Sequence, residues 1–195
     1  KKNAEAKKGK LIVNADILEA HYEEKKENNN EIKFLKAKGN VRINDGTTFI
    51  TGGRNALYDI KKEHFIIFGN NVKMTSQNDI LSANIKLEFW KNKNIAIATG
   101  KAEAIRLAKY QINAEKLVTH LLKNDKEESE VKKIIAYNEV VIKTNNEIAY
   151  SDKALYNKNS EICKLFGNVR LRKDDNFLTG EYAEMNLNDG ISKLL

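Results

Sequence analysis

Hydrophobic and polar residues alternate along this chain in short runs, and the runs restart at a near-constant interval. One phrase marks each restart: Gly or Asn, a spacer, Val, a basic or polar residue, then Ile, Leu or Met. It reads Gly39-Asn40-Val41-Arg42-Ile43, then Gly69-Asn70-Asn71-Val72-Lys73-Met74 with one residue inserted. It returns as Asn138-Glu139-Val140-Val141-Ile142 and Gly167-Asn168-Val169-Arg170-Leu171, with a weaker copy at Gly100. The starts lie 30, 31, 38 and 29 residues apart. Repeats of that length predict a stacked architecture, in which each unit covers the apolar face of its neighbour.

Within each unit the phrase is followed by a polar turn and a second alternating segment. Phe49–Asp59 and Glu147–Asn157 share the ending Ala-Leu-Tyr-Asp/Asn. Looser copies are Ile80–Phe89, Gln111–Leu121 and Phe177–Leu187, with an opening half-copy at Ile12–Tyr22. The turns are rich in Asn, Asp and Gly, as in Asn44-Asp45-Gly46, Ser76-Gln77-Asn78-Asp79, Thr144-Asn145-Asn146 and Lys173-Asp174-Asp175-Asn176. These residues suit hairpin loops. Strand and turn therefore alternate every ten to fifteen residues, which predicts an all-β protein with no helix beyond a single turn. Two charged insertions, Glu23–Glu31 and Asn124–Lys133, interrupt the period and read as long hairpin loops.

Parity selects the interior. Leu35, Val41 and Ile43 form one stripe, Ile66, Phe68, Val72 and Met74 a second, and Cys163, Leu165, Val169 and Leu171 a third. Val140 and Ile142 follow the same rule. The expected lining is thus Val41, Ile43, Ile66, Phe68, Val72, Met74, Val140, Ile142, Val169 and Leu171, pointing between stacked sheets. Gly39, Gly69 and Gly167 interrupt the stripes, where a bulge or close backbone approach is expected. Parity does not say whether side chains fill the interior or leave room for a ligand.

Composition sharpens this picture. The chain has 195 residues, enough for one domain. Residues 1–10 read as a flexible basic tail, and 11–195 as a single repeat-built domain. Hydrophobic residues make up 41% and the mean hydropathy is −0.58, which fits an elongated body with much surface. There is no proline to break a ladder. No apolar run approaches the length of a membrane-spanning helix. The chain starts at Lys1, so any export leader is expected to have been removed.

The net charge is +7, with lysines spread along the chain. That suits a polyanionic ligand or simple solubility. The lone Cys163 excludes an internal disulfide and reads as a small buried hydrophobe. Phosphate-loop, zinc and hydrolase motifs are missing, and His21, His64 and His120 stand at strand ends without partners at ligand spacing. Neither enzyme, metal site nor cofactor is expected. Basic residues alternate with acids, which argues against nucleic acid as partner.

The recurring Gly-Asn-Val-Arg-Ile/Leu, followed by Thr-Gly-x-x-Ala/Asn-x-x-Tyr-Asp, resembles the OstA-like repeat of the LptA family. The ending Leu178–Leu195 is similar to that family's closing segment. The resemblance covers residues 11–195; the third unit, with Ala102 and Ala104 at Val and Ile positions, departs most. It implies an OstA-like β-jellyroll: stacked antiparallel strands in a twisted, V-shaped slab open at both ends. It implies a periplasmic bridge carrying lipopolysaccharide, acyl chains between the sheets, from an LptC-like inner-membrane partner to an LptD-like outer-membrane partner. The N-terminal domain of an LptD-type protein is the alternative, and a basic β-repeat binding module a third.

The resemblance also implies head-to-tail homo-oligomers joined through terminal strands. Ile12, Val13 and Ile17 at one end, and Phe177, Leu178, Met185 and Leu187 at the other, are the expected edge-strand positions. Sequestering an acyl chain of about a dozen methylenes is worth roughly 10 kcal/mol, at about 0.8 kcal/mol per methylene. Only a continuous apolar groove competes with a membrane for that.

Overall fold

A computed structural model of the chain describes residues 3–23, 31–76, 79–123, 129–188 and 192–195. Residues 24–30 and 124–128 of the charged insertions lie outside the described residues, as do Gln77 and Asn78 of one expected turn. The rest of the second insertion, residues 129–133, is not loop but strand, paired with residues 120–123. The strands are β1 (Ala4–Lys8), β2 (Leu11–Ala15), β3 (Ile17–Glu23), β4 (Glu31–Asn44), β5 (Thr48–Asp59), β6 (His64–Phe68), β7 (Val72–Ser76) and β8 (Asp79–Ala83). They continue as β9 (Lys86–Trp90), β10 (Ile95–Arg106), β11 (Tyr110–Lys123), β12 (Ser129–Lys143), β13 (Ile148–Asn157), β14 (Ile162–Lys173), β15 (Asn176–Asn186) and β16 (Ser192–Leu194). The helical content among the described residues is one 3-10 turn, Lys91–Lys93.

Every pairing is antiparallel, and all sixteen strands belong to one sheet. The long strands bend in the middle, so the sheet folds into two layers. The upper layer holds β1, β2, β7, β8 and the halves of the long strands on one side of the bend. The lower layer holds β3, β6, β9, β16 and the other halves.

The repeated phrase is the corner between the layers. Register shifts fall between Lys38 and Val41, Thr99 and Ala102, Tyr137 and Val140, and Phe166 and Val169. Gly39 (φ 73°) with Asn40 (φ 45°) and Gly167 (φ 73°) with Asn168 (φ 48°) occupy the left-handed region there. Glycine and asparagine adopt that region at least cost. The corners are pinned alike: Asn40 Nδ2 donates to Asp16 Oδ2 at 3.0 Å, and Asn168 Nδ2 to Asp152 Oδ2 at 2.8 Å. A side chain on Gly39 or Gly167 would strike the same carboxylates. The bulges expected from these glycines are therefore present.

The expected flexible tail needs correction. Ala4–Lys8 pair along the whole of β2, from Ala4 opposite Ala15 to Lys8 opposite Leu11. Alternation in Ala-Glu-Ala-Lys is weak, and the pairing comes from the exposed backbone of β2, which local hydropathy does not report.

Candidate functional site

The space between the layers is the feature that all the repeats build. In the lower layer, cross-strand partners place Ala37, Ala56, Ile67, Leu87, Ala98, Leu117, Ala136, Ala154, Leu165 and Ala183 in one inward row. In the upper layer the matching row runs through Ile43, Ile50, Met74, Leu81, Ala104, Ile112, Ile142, Ala149 and Leu171. Alanines are interspersed with larger side chains, more densely in the lower row than in the upper, which lets the layers approach closely.

Eight of the ten expected lining residues face this space. Val41, Ile43, Val72, Val140, Ile142, Val169 and Leu171 are buried, and Met74 is half-buried against the core. Ile66 and Phe68 do not. Phe68 is 41% exposed, while Ile67 is fully buried beside Ala56 and Leu87. The cause is the residue inserted in Gly69-Asn70-Asn71. At most corners the step from the last inward side chain of one layer to the first of the next is four residues, as from Leu165 to Val169. Here the step runs from Ile67 to Val72, and with a side-chain period of two the extra residue exchanges the faces. Phe65 and Ile67 are the residues that sequence reading missed, and the insertion was the signal.

The layers are staggered. Tyr110, in the upper part of β11, meets Tyr156 of lower β13 with ring centroids 5.0 Å apart. Lys109 Nζ, in the upper β10–β11 turn, reaches Glu161 Oε1 at 3.0 Å and Asn188 Oδ1 at 3.2 Å in lower turns further along. Ser192 of lower β16 donates to Glu147 of the upper β12–β13 turn. Each contact joins an upper strand to a lower one nearer the C-terminus. The lower layer therefore overhangs at the N-terminal end and the upper layer at the C-terminal end. Leu35 and Leu178 face inward by register, yet are 37% and 54% exposed, because the opposite layer does not reach them.

Edge positions follow from this. Ile17 lies on β3, which pairs with β4 on one side alone, and Phe177 and Leu178 lie on the upper half of β15, which pairs with β14 alone. Ile12 and Val13 are not edge residues, because β1 and β4 flank β2. Met185 and Leu187 are buried in the core: β16 pairs with β15 opposite Met185, and Leu187 N donates to Glu161 O. The incomplete repeat is completed by strands too short or irregular to show in the pattern.

The space is largely filled. An apolar cleft lined by Ile50, Phe65, Met74, Leu81, Leu87 and Phe89 leaves about 20 Å³ between the arms, room for about one water. The titratable groups inside are kept neutral. Burial pushes the Cys163 thiol up to about 12, too high for a nucleophile at neutral pH. Burial first, and the contact with Tyr156 second, raise the Tyr110 phenol. His64 lies on the outer face, stacked on Trp90 at 3.6 Å. Among the described residues no cluster of metal-ligating side chains forms.

Two staggered antiparallel layers, folded from one sheet at Gly-Asn corners around an apolar interior, define an OstA-like β-jellyroll. The chain belongs to the family described as LptA/(LptD N-terminal domain) LPS transport protein, whose model matches residues 85–191. Among solved structures it is similar to LptH of Pseudomonas aeruginosa, the LptA-homologous periplasmic component of the lipopolysaccharide transport device. The TM-score is 0.52 at 12% identity, over 60% of this chain and 81% of that one. That likeness speaks to the fold. No curated protein matches the sequence.

Proposed function

We propose that this protein carries lipopolysaccharide between two membranes, with the acyl chains held between the two layers and the phosphorylated head group outside. The observation that carries this reading is the unbroken apolar interlayer in a chain of the LPS transport family. Sealed packing does not oppose it. Alkyl side chains and acyl chains are equivalent partners, so a lipid displaces interlayer contacts and replaces them in kind. The charge of +7 supplies cations for head-group phosphates.

The staggered overhangs support end-to-end assembly in the periplasm. Uncovered inward-facing side chains of the lower layer at one end match uncovered ones of the upper layer at the other. Docking one copy on the next covers both and satisfies the edge backbone groups of β3 and β15. Because the ends differ, such contacts propagate rather than close. Related jellyrolls of LptC-like and LptD-like partners would dock on the same edges. The family description spans LptA and the LptD N-terminal domain, and the same interior would serve a module of either kind.

The test is lipid loading. Purified protein should take up lipopolysaccharide from detergent-free suspension, and Val72→Asp should load far less. Absence of uptake by the intact chain would overturn the reading. Sedimentation at rising concentration should show a ladder of oligomers; Phe177→Asp should shorten it without lowering the melting temperature.

A further inference from the structure

The arms are not joined evenly, and this has a consequence for how much of the interior a lipid reaches. In the C-terminal half, side-chain contacts bridge the two arms at their tips. They are Lys109 with Glu161 and Asn188, Tyr110 with Tyr156, and Ser192 with Glu147. They come from separate turns and strands of both layers, so they act as a row of ties rather than a single bond. Behind them Leu165, Leu171 and Met185 are buried. At the other end, the ion pairs of Lys33 with Glu23 and Lys91 with Glu63 stay within the lower layer. There Ile50, Phe65, Met74 and Phe89 are half-buried and line the cleft.

We infer that acyl chains lodge in the N-terminal half of the interlayer, at the cleft of Ile50, Phe65, Met74 and Phe89, and that the ties hold the C-terminal half shut against them. This rests on the lipid-carrying reading above. The physical reason is asymmetric opening. Separating the arms at the cleft removes half-buried apolar contacts, which the incoming methylenes restore. Separating them at the ties strips the Tyr110–Tyr156 contact and three polar bonds that an alkyl chain does not replace. The first step is compensated by the ligand and the second is not. Lipid therefore passes from one half to the other when the ties open, and the number of acyl chains per copy is set by where the ties begin.

The experiment uses the whole chain with a diazirine-bearing palmitic acid as the photoreactive probe, competed with purified lipopolysaccharide, and maps labelled peptides by mass spectrometry. The intact chain should be labelled within residues 48–98 and not within 134–187, and lipopolysaccharide should suppress the label. Lys109→Glu with Ser192→Ala cuts two ties at solvent-accessible positions, and label should then appear in 134–187, several-fold above the intact chain. Adding Glu161→Lys restores the first tie with reversed charges, and the new label should fall again. Equal labelling of both halves in the intact chain overturns the inference, as does a tie variant whose C-terminal half stays unlabelled. Lack of any interior label, or label that lipopolysaccharide does not displace, overturns instead the lipid-carrying reading itself.

Discussion

The two halves of this slab are built from the same repeat and differ in how completely it closes. In the C-terminal half β10–β15 run unbroken through both layers, and Ile112, Leu117, Ile142, Leu165, Leu171, Met185 and Leu187 are fully buried. In the N-terminal half β4 and β5 also run through both layers, but the rest of the path is cut into β2 and β3, β6 and β7, and β8 and β9, and the fully buried large side chains are Val41, Ile67 and Val72. A bent continuous strand fixes the angle between layers through its own covalent chain. A broken one leaves that angle to the turn between its pieces. The comparison teaches that one repeat yields a rigid clamp or a yielding jaw, depending on whether its strands run unbroken through the corner.

The largest expected effect is a charge in the rigid half. Leu165→Asp places an unpaired carboxylate where no water reaches, and should cost upwards of about 4 kcal/mol. Met74→Asp, at the half-open cleft, should cost less than half as much. Urea melts of both variants decide this, and equal costs would break the contrast.

Truncation should show the same ordering at smaller scale. Leu117→Ala is expected to cost about 3 kcal/mol, within the usual range for a sealed core leucine. Met74→Ala, where the arms relax together, should cost about 1 kcal/mol.

The corners offer a sharper test. Gly167→Ala meets a left-handed backbone and the Asp152 carboxylate, with Oδ2 2.6 Å from the added carbon. A loss of roughly 1–3 kcal/mol is expected. Gly46→Ala, in an open hairpin turn at φ 94°, carries the backbone strain without the collision and should lose less.

Alkaline titration gives the smallest effect. The folded pKa of Tyr110 is raised above its ordinary value of 10.0. Its contribution to stability is therefore fully present below pH 10 and is lost as pH rises towards the folded value, because the unfolded state releases the proton first. Stability should fall above pH 10, and Tyr110→Phe should flatten that fall. Absorbance of tyrosinate at 295 nm, followed with the melt, checks it. Under the same conditions Cys163 should resist thiol reagents until the chain unfolds, as its burial and its pKa of about 12 require.

The sequence by itself determined the all-β class, the repeat and its corners, and the inward face of most strands. These are local matters. Alternation with period two, turns rich in Asn, Asp and Gly, and the steric preference of Gly-Asn for the left-handed region act within a few residues. That is why Val41, Val140, Val169 and their partners could be read directly. The exchange of Ile66 and Phe68 for Phe65 and Ile67 was also local, but it turned on counting one extra corner residue.

Tertiary structure alone decided the rest. The pairing of Ala4–Lys8 with β2, the burial of Met185 and Leu187, the stagger of the layers and the ties from Lys109, Tyr110 and Glu147 join segments remote in sequence or weak in pattern. They depend on the twist accumulated over many strands, and that twist is a property of the assembled sheet rather than of any one segment.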